Sequence, residues 1–192
     1  MTLKRTSSPC VADFLYMSKP KILRRPDWDT YFMNIADVVS TRATCVKRQV
    51  GSVITKEEQI IATGYNGAPR GLRHSAEVGC LRQQLDIPSG THHELCRGLH
   101  AEQNAIIQAA RNGIDTKGAT LYCTYMPCVI CSKMIINAGI SRIVFRGYYP
   151  DELAIQILNE SGIDVSLFEE KYRDEPICEV ELSDEEKARY KL

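Results

Sequence analysis

The chain has 192 residues, enough for one domain with a sizeable core, and its apolar and charged fractions are those of an ordinary globular protein. Its 24 basic side chains balance 24 acidic ones, which argues against a nucleic-acid partner, because domains that grip phosphate backbone are usually basic. No apolar run approaches a membrane span and no signal-type hydrophobic stretch opens the chain, so a cytoplasmic protein without a membrane partner is expected.

Residues 1–25 lean basic (Lys4, Arg5, Lys19, Lys21, Arg24, Arg25), show no clear period and read as an N-terminal extension. Pro26 and Asp27 are suitable opening residues for a helix in which Trp28, Tyr31, Phe32, Ile35, Val38 and Val39 recur at three- and four-residue spacing. "QVGSVIT" and "QIIATGYNG" are β-branched runs flanking a charged "KEE" and predict an antiparallel hairpin. The stretch 64–98 is rich in Gly, Pro, His, Cys and Arg and has weak periodicity; a loop of that length is usually functional or stiffened by metal. From His100 the pattern sharpens. A helix closes at Gly113, "ATLYCT" is a strand, and "PCVICSKMIINAG" is a helix between Pro127 and Gly139. The strand "RIVF", the helix "DELAIQILNESG" and the strand "IDVSLF" follow. A hairpin followed by alternating strands and helices predicts an α/β fold, a three-layer α/β/α sandwich on a central mixed five-stranded sheet. The main domain is expected at 26–170, with an acidic segment at 171–192.

Eight cysteines in a cytosolic chain point to metal binding, catalysis or burial rather than disulfides. Cys10 and Cys178 lie in the flanking segments and read as free thiols. Cys128 and Cys131 are three apart behind Pro127, so they face one way at a helix N-terminus, where the dipole favours thiolate. Alone they would read equally as half of a closed structural zinc or as buried thiols. With His100 they make three ligands, the number that leaves a zinc ion one open position for water. His100 and Glu102 are two apart, which is not one face of a regular helix, so both are placed at the irregular mouth of the helix after residue 100. There the imidazole meets the metal, which brings the pKa of its water to about 7. Glu102, beside that water, is placed to take its proton and pass it on to a substrate.

The pattern H-x-E followed by P-C-x-x-C is the signature of zinc-dependent nucleobase deaminases. From about Trp28 to Phe168 the chain resembles the cytidine deaminase superfamily and, within it, the deoxycytidylate deaminases. The resemblance rests on "RQVGSVI", "ATGYNGAPRG", "CRGLHAEQNAI" and "GATLYCTYMPCVICSKMIINAGI". It implies hydrolysis of dCMP to dUMP for thymidylate synthesis, zinc on His100, Cys128 and Cys131, and Glu102 as proton shuttle. It places Asn66 near the deoxyribose and makes Arg48 a candidate for the 5′-phosphate, the other reading of Arg48 being a solvated strand-edge side chain. Many relatives are hexamers activated by dCTP and inhibited by dTTP, which implies a homo-oligomer with an effector and its Mg2+ near Gly64, Tyr65 and Gly67.

Cys45, His74, His93 and Cys96 suggest a second, closed zinc site of two sulfurs and two nitrogens. His92 competes with His93, and Ser75 stands where relatives often carry a cysteine. Cys80 reads as packed. Two other functions fit parts of the pattern: a deaminase of a base in tRNA or of another cytosine nucleotide, and a non-catalytic zinc module for assembly or DNA uptake.

Overall fold

Asp27 starts the first helix, α1 (Trp28–Ser40), by accepting a hydrogen bond from Thr30 N at 2.7 Å through its carboxylate. In this computed structural model residues 25–88, 91–148 and 151–169 are described. The extension expected at 1–25, apart from Arg25, and the acidic segment 171–192 lie outside the described residues. All the elements below belong to one compact unit, Pro26–Lys171.

The hairpin forms as expected. β1 (Gly51–Lys56) runs antiparallel to β2 (Gln59–Tyr65) across a two-residue turn. Glu57 and Glu58 hold φ of 51° and 60°, the left-handed pair that matches strand twist. β3 (Thr120–Tyr125) pairs antiparallel with the other edge of β1. β4 (Arg142–Gly147) lies parallel to β3, and β5 (Asp164–Leu167) parallel to β4. The order β2-β1-β3-β4-β5 is the mixed five-stranded sheet expected from the sequence.

Strand side chains alternate between two cores. On one face Val53, Tyr122 and Val144 meet Phe32, Met33 and Ala36 of α1. On the other, Ile54, Leu121, Cys123 and Ile143 pack in one cluster with α4 (Ala101–Arg111), α5 (Val129–Asn137) and α6 (Glu152–Ser161). α5 and α6 each connect parallel neighbours, and right-handed crossovers in the same direction place both on one face. The result is three layers. Arg142 ties the sheet to α1 by donating to both carboxylate oxygens of Asp29, at 2.7 Å each, while the Tyr122 hydroxyl donates to the same carboxylate.

One contact sets the spacing of the layer that carries the site. A Cβ on Gly64 in β2 would lie 2.2 Å from Ala101 O and 2.4 Å from Ala105 N, both backbone atoms of α4. Only glycine lets α4 settle this close to the sheet.

The stretch 64–98 is less open than a loop. It contains two four-residue helices, α2 (Ser75–Val78) and α3 (Leu81–Gln84), and a 3-10 turn at His93–Leu95. No helix among the described residues is long and apolar enough to cross a membrane.

Candidate active site

His100 is the extended residue that precedes α4, with φ −75° and ψ 161°, and Gln103 Oε1 accepts from its backbone N–H at 2.8 Å. Glu102 lies in the first helical turn. The break between extended and helical backbone is what turns two residues separated by one position toward a common point. Cys128 stands in the same relation to α5: it is extended (φ −73°, ψ 170°), and its carbonyl accepts from Ser132 N. Cys131 is one turn on. All six described cysteines, Cys45, Cys80, Cys96, Cys123, Cys128 and Cys131, are unbridged.

The imidazole Nδ1 of His100 lies 3.5 Å from Cys128 Sγ and 3.4 Å from Cys131 Sγ. A zinc ion with usual Zn–N and Zn–S bonds at tetrahedral angles would set nitrogen and sulfur about 3.5 Å apart. The donor set therefore fits zinc in both chemistry and span. Two groups of potential ligand atoms lie within 4.8 Å of one another among the described residues, and His100 belongs to both. One joins it to Glu102 and Cys131, the other to His93 and Cys128.

The electrostatics suit a cation. The Cys128 thiol is drawn down to about 4 by the hydrogen bond from Cys131 and by His100, against the effect of burial. Cys131, which donates that bond and is buried, is pushed well up. Burial alone would lower the His100 pKa, but the hydrogen bond to Cys128 and the Glu102 charge carry it upward. Glu102 is 4% exposed, and burial raises its carboxyl above the ordinary carboxylate range.

His100, Glu102 and Cys128 line a cavity of about 490 Å³. Asn66 lines it, but its amide is engaged with backbone: Oδ1 accepts from Val50 N and Nδ2 donates to Arg48 O, each at 2.8 Å. Asn66 thereby holds the segment that carries Arg48, whose guanidinium lies 4.6 Å over the Tyr125 ring in the same cavity. Gly67 pairs with Leu99 at the rim, Tyr65 is partly exposed, and Gly64 is taken up by its approach to α4.

Cys45, His74, His93 and Cys96 are the four side chains expected to share a second zinc. His93 meets the His100 ring edge-on at 4.9 Å, because the 3-10 turn points it back toward the start of α4. Cys45 and Cys96 line the cavity, and neither they nor His74 enter either group of ligand atoms. His74 Nδ1 and both His93 ring nitrogens are buried without a hydrogen-bond partner. His92 instead pairs with Glu94 at 2.9 Å on the surface.

Asp151 was not singled out by the sequence. Its Oδ1 accepts from Ala154 N at 3.0 Å and its Oδ2 from Val129 N at 2.9 Å, so one carboxylate caps α6 and fastens the residue after Cys128. The aspartate before "ELAIQ" announces the first bond; the second depends on how β4 returns to α5. Asp151→Ala is expected to cost about 1–2 kcal/mol in chemical denaturation. A smaller Asp151→Asn loss would be consistent with capping by the remaining side-chain oxygen.

Comparison with known proteins agrees with this geometry. Residues 26–146 match the model of the "cytidine and deoxycytidylate deaminase zinc-binding region". The chain is 43% identical over 155 residues to deoxycytidylate deaminase of Saccharomyces cerevisiae, covering 80% of this chain but only 48% of that relative. It is 35% identical to ComE operon protein 2 of Bacillus subtilis, covering 88% of this chain and 82% of the relative. A solved structure of dCMP deaminase from the cyanophage S-TIM5, in complex with dCMP and dUMP, superposes with a TM-score of 0.61 at 28% identity, covering 75% of this chain and 98% of that one. The chain thus spans about half the length of its yeast relative and nearly all of the phage structure. Matched over more than half its residues and carrying the histidine, glutamate and cysteine pair in place, the chain belongs to the cytidine and deoxycytidylate deaminase zinc-binding family.

Proposed function

We propose that this protein hydrolyses dCMP to dUMP and ammonia. The observation that carries the reading is the convergence of His100, Cys128 and Cys131 with the buried Glu102 at a cavity rich in fixed positive charge. Lys47, Arg48 and Arg82 line that cavity against a single acidic side chain, Glu102, in a chain whose formal net charge is zero. Such a cavity favours an anionic nucleotide over a neutral nucleoside. The name of the yeast relative and the ligands of the phage structure support the same substrate.

His100, Cys128 and Cys131 would hold zinc, which when bound polarises water for attack at the amino-bearing carbon. Glu102 takes a proton from that water, delivers it to the ring nitrogen N3, and later supplies a proton to the departing ammonia. Burial keeps its carboxyl readily protonated, which suits a group that must both accept and donate. Water adds and ammonia leaves, with no oxidant or reductant. Asn66 fixes the segment bearing Arg48, and the presence of that guanidinium in the cavity wall supports assigning it to the 5′-phosphate.

Turnover of a panel of dCMP, CMP, deoxycytidine, dCTP and a tRNA anticodon stem tests this. Preference for dCMP is expected; activity only on the RNA would reverse the substrate assignment, and no turnover with zinc bound would favour the non-catalytic module. Running the panel with and without dCTP, dTTP and Mg2+ tests the regulation implied by the family. Supply of dUMP for thymidylate synthesis and assembly into a homohexamer belong to the same reading. A measured ratio of one zinc per chain would leave the ion at His100, Cys128 and Cys131 alone. A measured ratio of two would return a second ion to Cys45, His74, His93 and Cys96.

A further inference from the structure

The short helix α3 brings one side chain to the cavity that the motif leaves unused. Arg82 lines the cavity together with His100 and Glu102. It is held by backbone and not by a carboxylate: its Nη2 donates to Pro88 O at 2.8 Å, and the ion pairs among the described residues involve other cations. Its Nε is buried without a hydrogen-bond partner. A buried guanidinium N–H with no acceptor is costly, and the cost is relieved when a ligand brings the missing oxygen. Arg48 occupies another part of the wall, its planar group resting on Tyr125.

We infer that Arg82 is a specificity-determining residue, which meets the phosphate of the nucleotide and so selects a 5′-monophosphate over the free nucleoside. The assignment rests on the nucleotide reading above. Two guanidinium groups on different segments, one on the 44–48 stretch and one on α3, enclose a dianion more selectively than one. Each offers paired N–H donors matched to phosphate oxygens. Binding the phosphate also satisfies Arg82 Nε, so the nucleoside, which lacks that group, leaves the donor buried and unpaired. That penalty is the source of discrimination.

The test compares wild type with Arg82→Gln and Arg82→Lys, each checked for zinc content and unfolding midpoint. In Arg82→Gln, KM for dCMP should rise about 10- to 100-fold with kcat little changed. Competitive inhibition by inorganic phosphate should weaken by a similar factor, while kcat/KM for deoxycytidine stays within about twofold. Arg82→Lys, which keeps the charge but not the fork, should fall between. An unchanged phosphate inhibition constant, or an equal loss on dCMP and deoxycytidine, overturns the assignment. Wild type that fails to turn over dCMP overturns the nucleotide reading itself, an outcome distinct from an active wild type whose variant behaves identically.

Discussion

Glu102→Gln is expected to reduce turnover of dCMP by about 10³- to 10⁴-fold while leaving zinc bound. The substitution keeps the shape and hydrogen-bonding reach of the side chain and removes only its ability to carry a proton. Glu102 is buried, so no solvent base stands in for it. It lies within 4.8 Å of ligand atoms of His100 and Cys131, close enough to serve water and substrate at the same point. Zinc content separates the two ways of losing activity. Loss of turnover with full metal identifies a proton carrier, whereas loss of both would make Glu102 a ligand. Retention of wild-type turnover would remove it from the chemistry.

Cys128→Ser should lower zinc affinity by more than about 100-fold, the upper range for altering a mere supporting partner of a ligand, and turnover should fall with it. The variant is chosen because Cys128 occupies the capping position of α5, where serine is among the best residues. The helix is therefore preserved while the soft anionic sulfur is lost. Each 100-fold loss of affinity at saturating metal corresponds to about 2.7 kcal/mol of linked stability. The unfolding midpoint should fall in metal-replete buffer and coincide with wild type once both are stripped by chelator. A midpoint that drops equally in both conditions would mean that the sulfur matters for packing, and full zinc occupancy would remove Cys128 from the ligand set.

The metal centre was legible because it is written in short spacings. H-x-E at a helix mouth and C-x-x-C behind a proline fix geometry within one turn of chain, and His100 and Cys128 both prove to be the extended residue ahead of a helix. The sheet was legible because its strands are short apolar runs bounded by turn residues, and neighbours such as Val53 and Ile54 or Ile143 and Val144 go to opposite cores. What escaped depends on chain returning from far away. The H-x-x-C spacing of His93 and Cys96 does not announce that the 3-10 turn sets the His93 ring beside His100. Asp151 reads as a helix cap, and its bond to Val129 needs two helices to begin side by side. Arg82 sits in a segment without periodicity, where no pattern separates a solvated arginine from one facing a cavity. The Glu57–Glu58 turn adopts a conformation that Asn-Gly would have announced and two glutamates conceal. The two backbone bonds by which Asn66 braces the chain around Val50 and Arg48 are likewise invisible in its spacing.

The absent methyl group at position 64 makes one buried hydrogen atom a ruler for chemistry several residues away. Helix α4 carries Glu102 in its first turn and His100 immediately before it, and its backbone rests directly on that glycine. Enlarging the residue would lift the whole rod and tilt both groups away from the sulfurs on α5, disabling the centre without touching any atom that reacts. Inactivating changes at this place would mimic loss of a ligand, and a search confined to the cavity wall would overlook their origin.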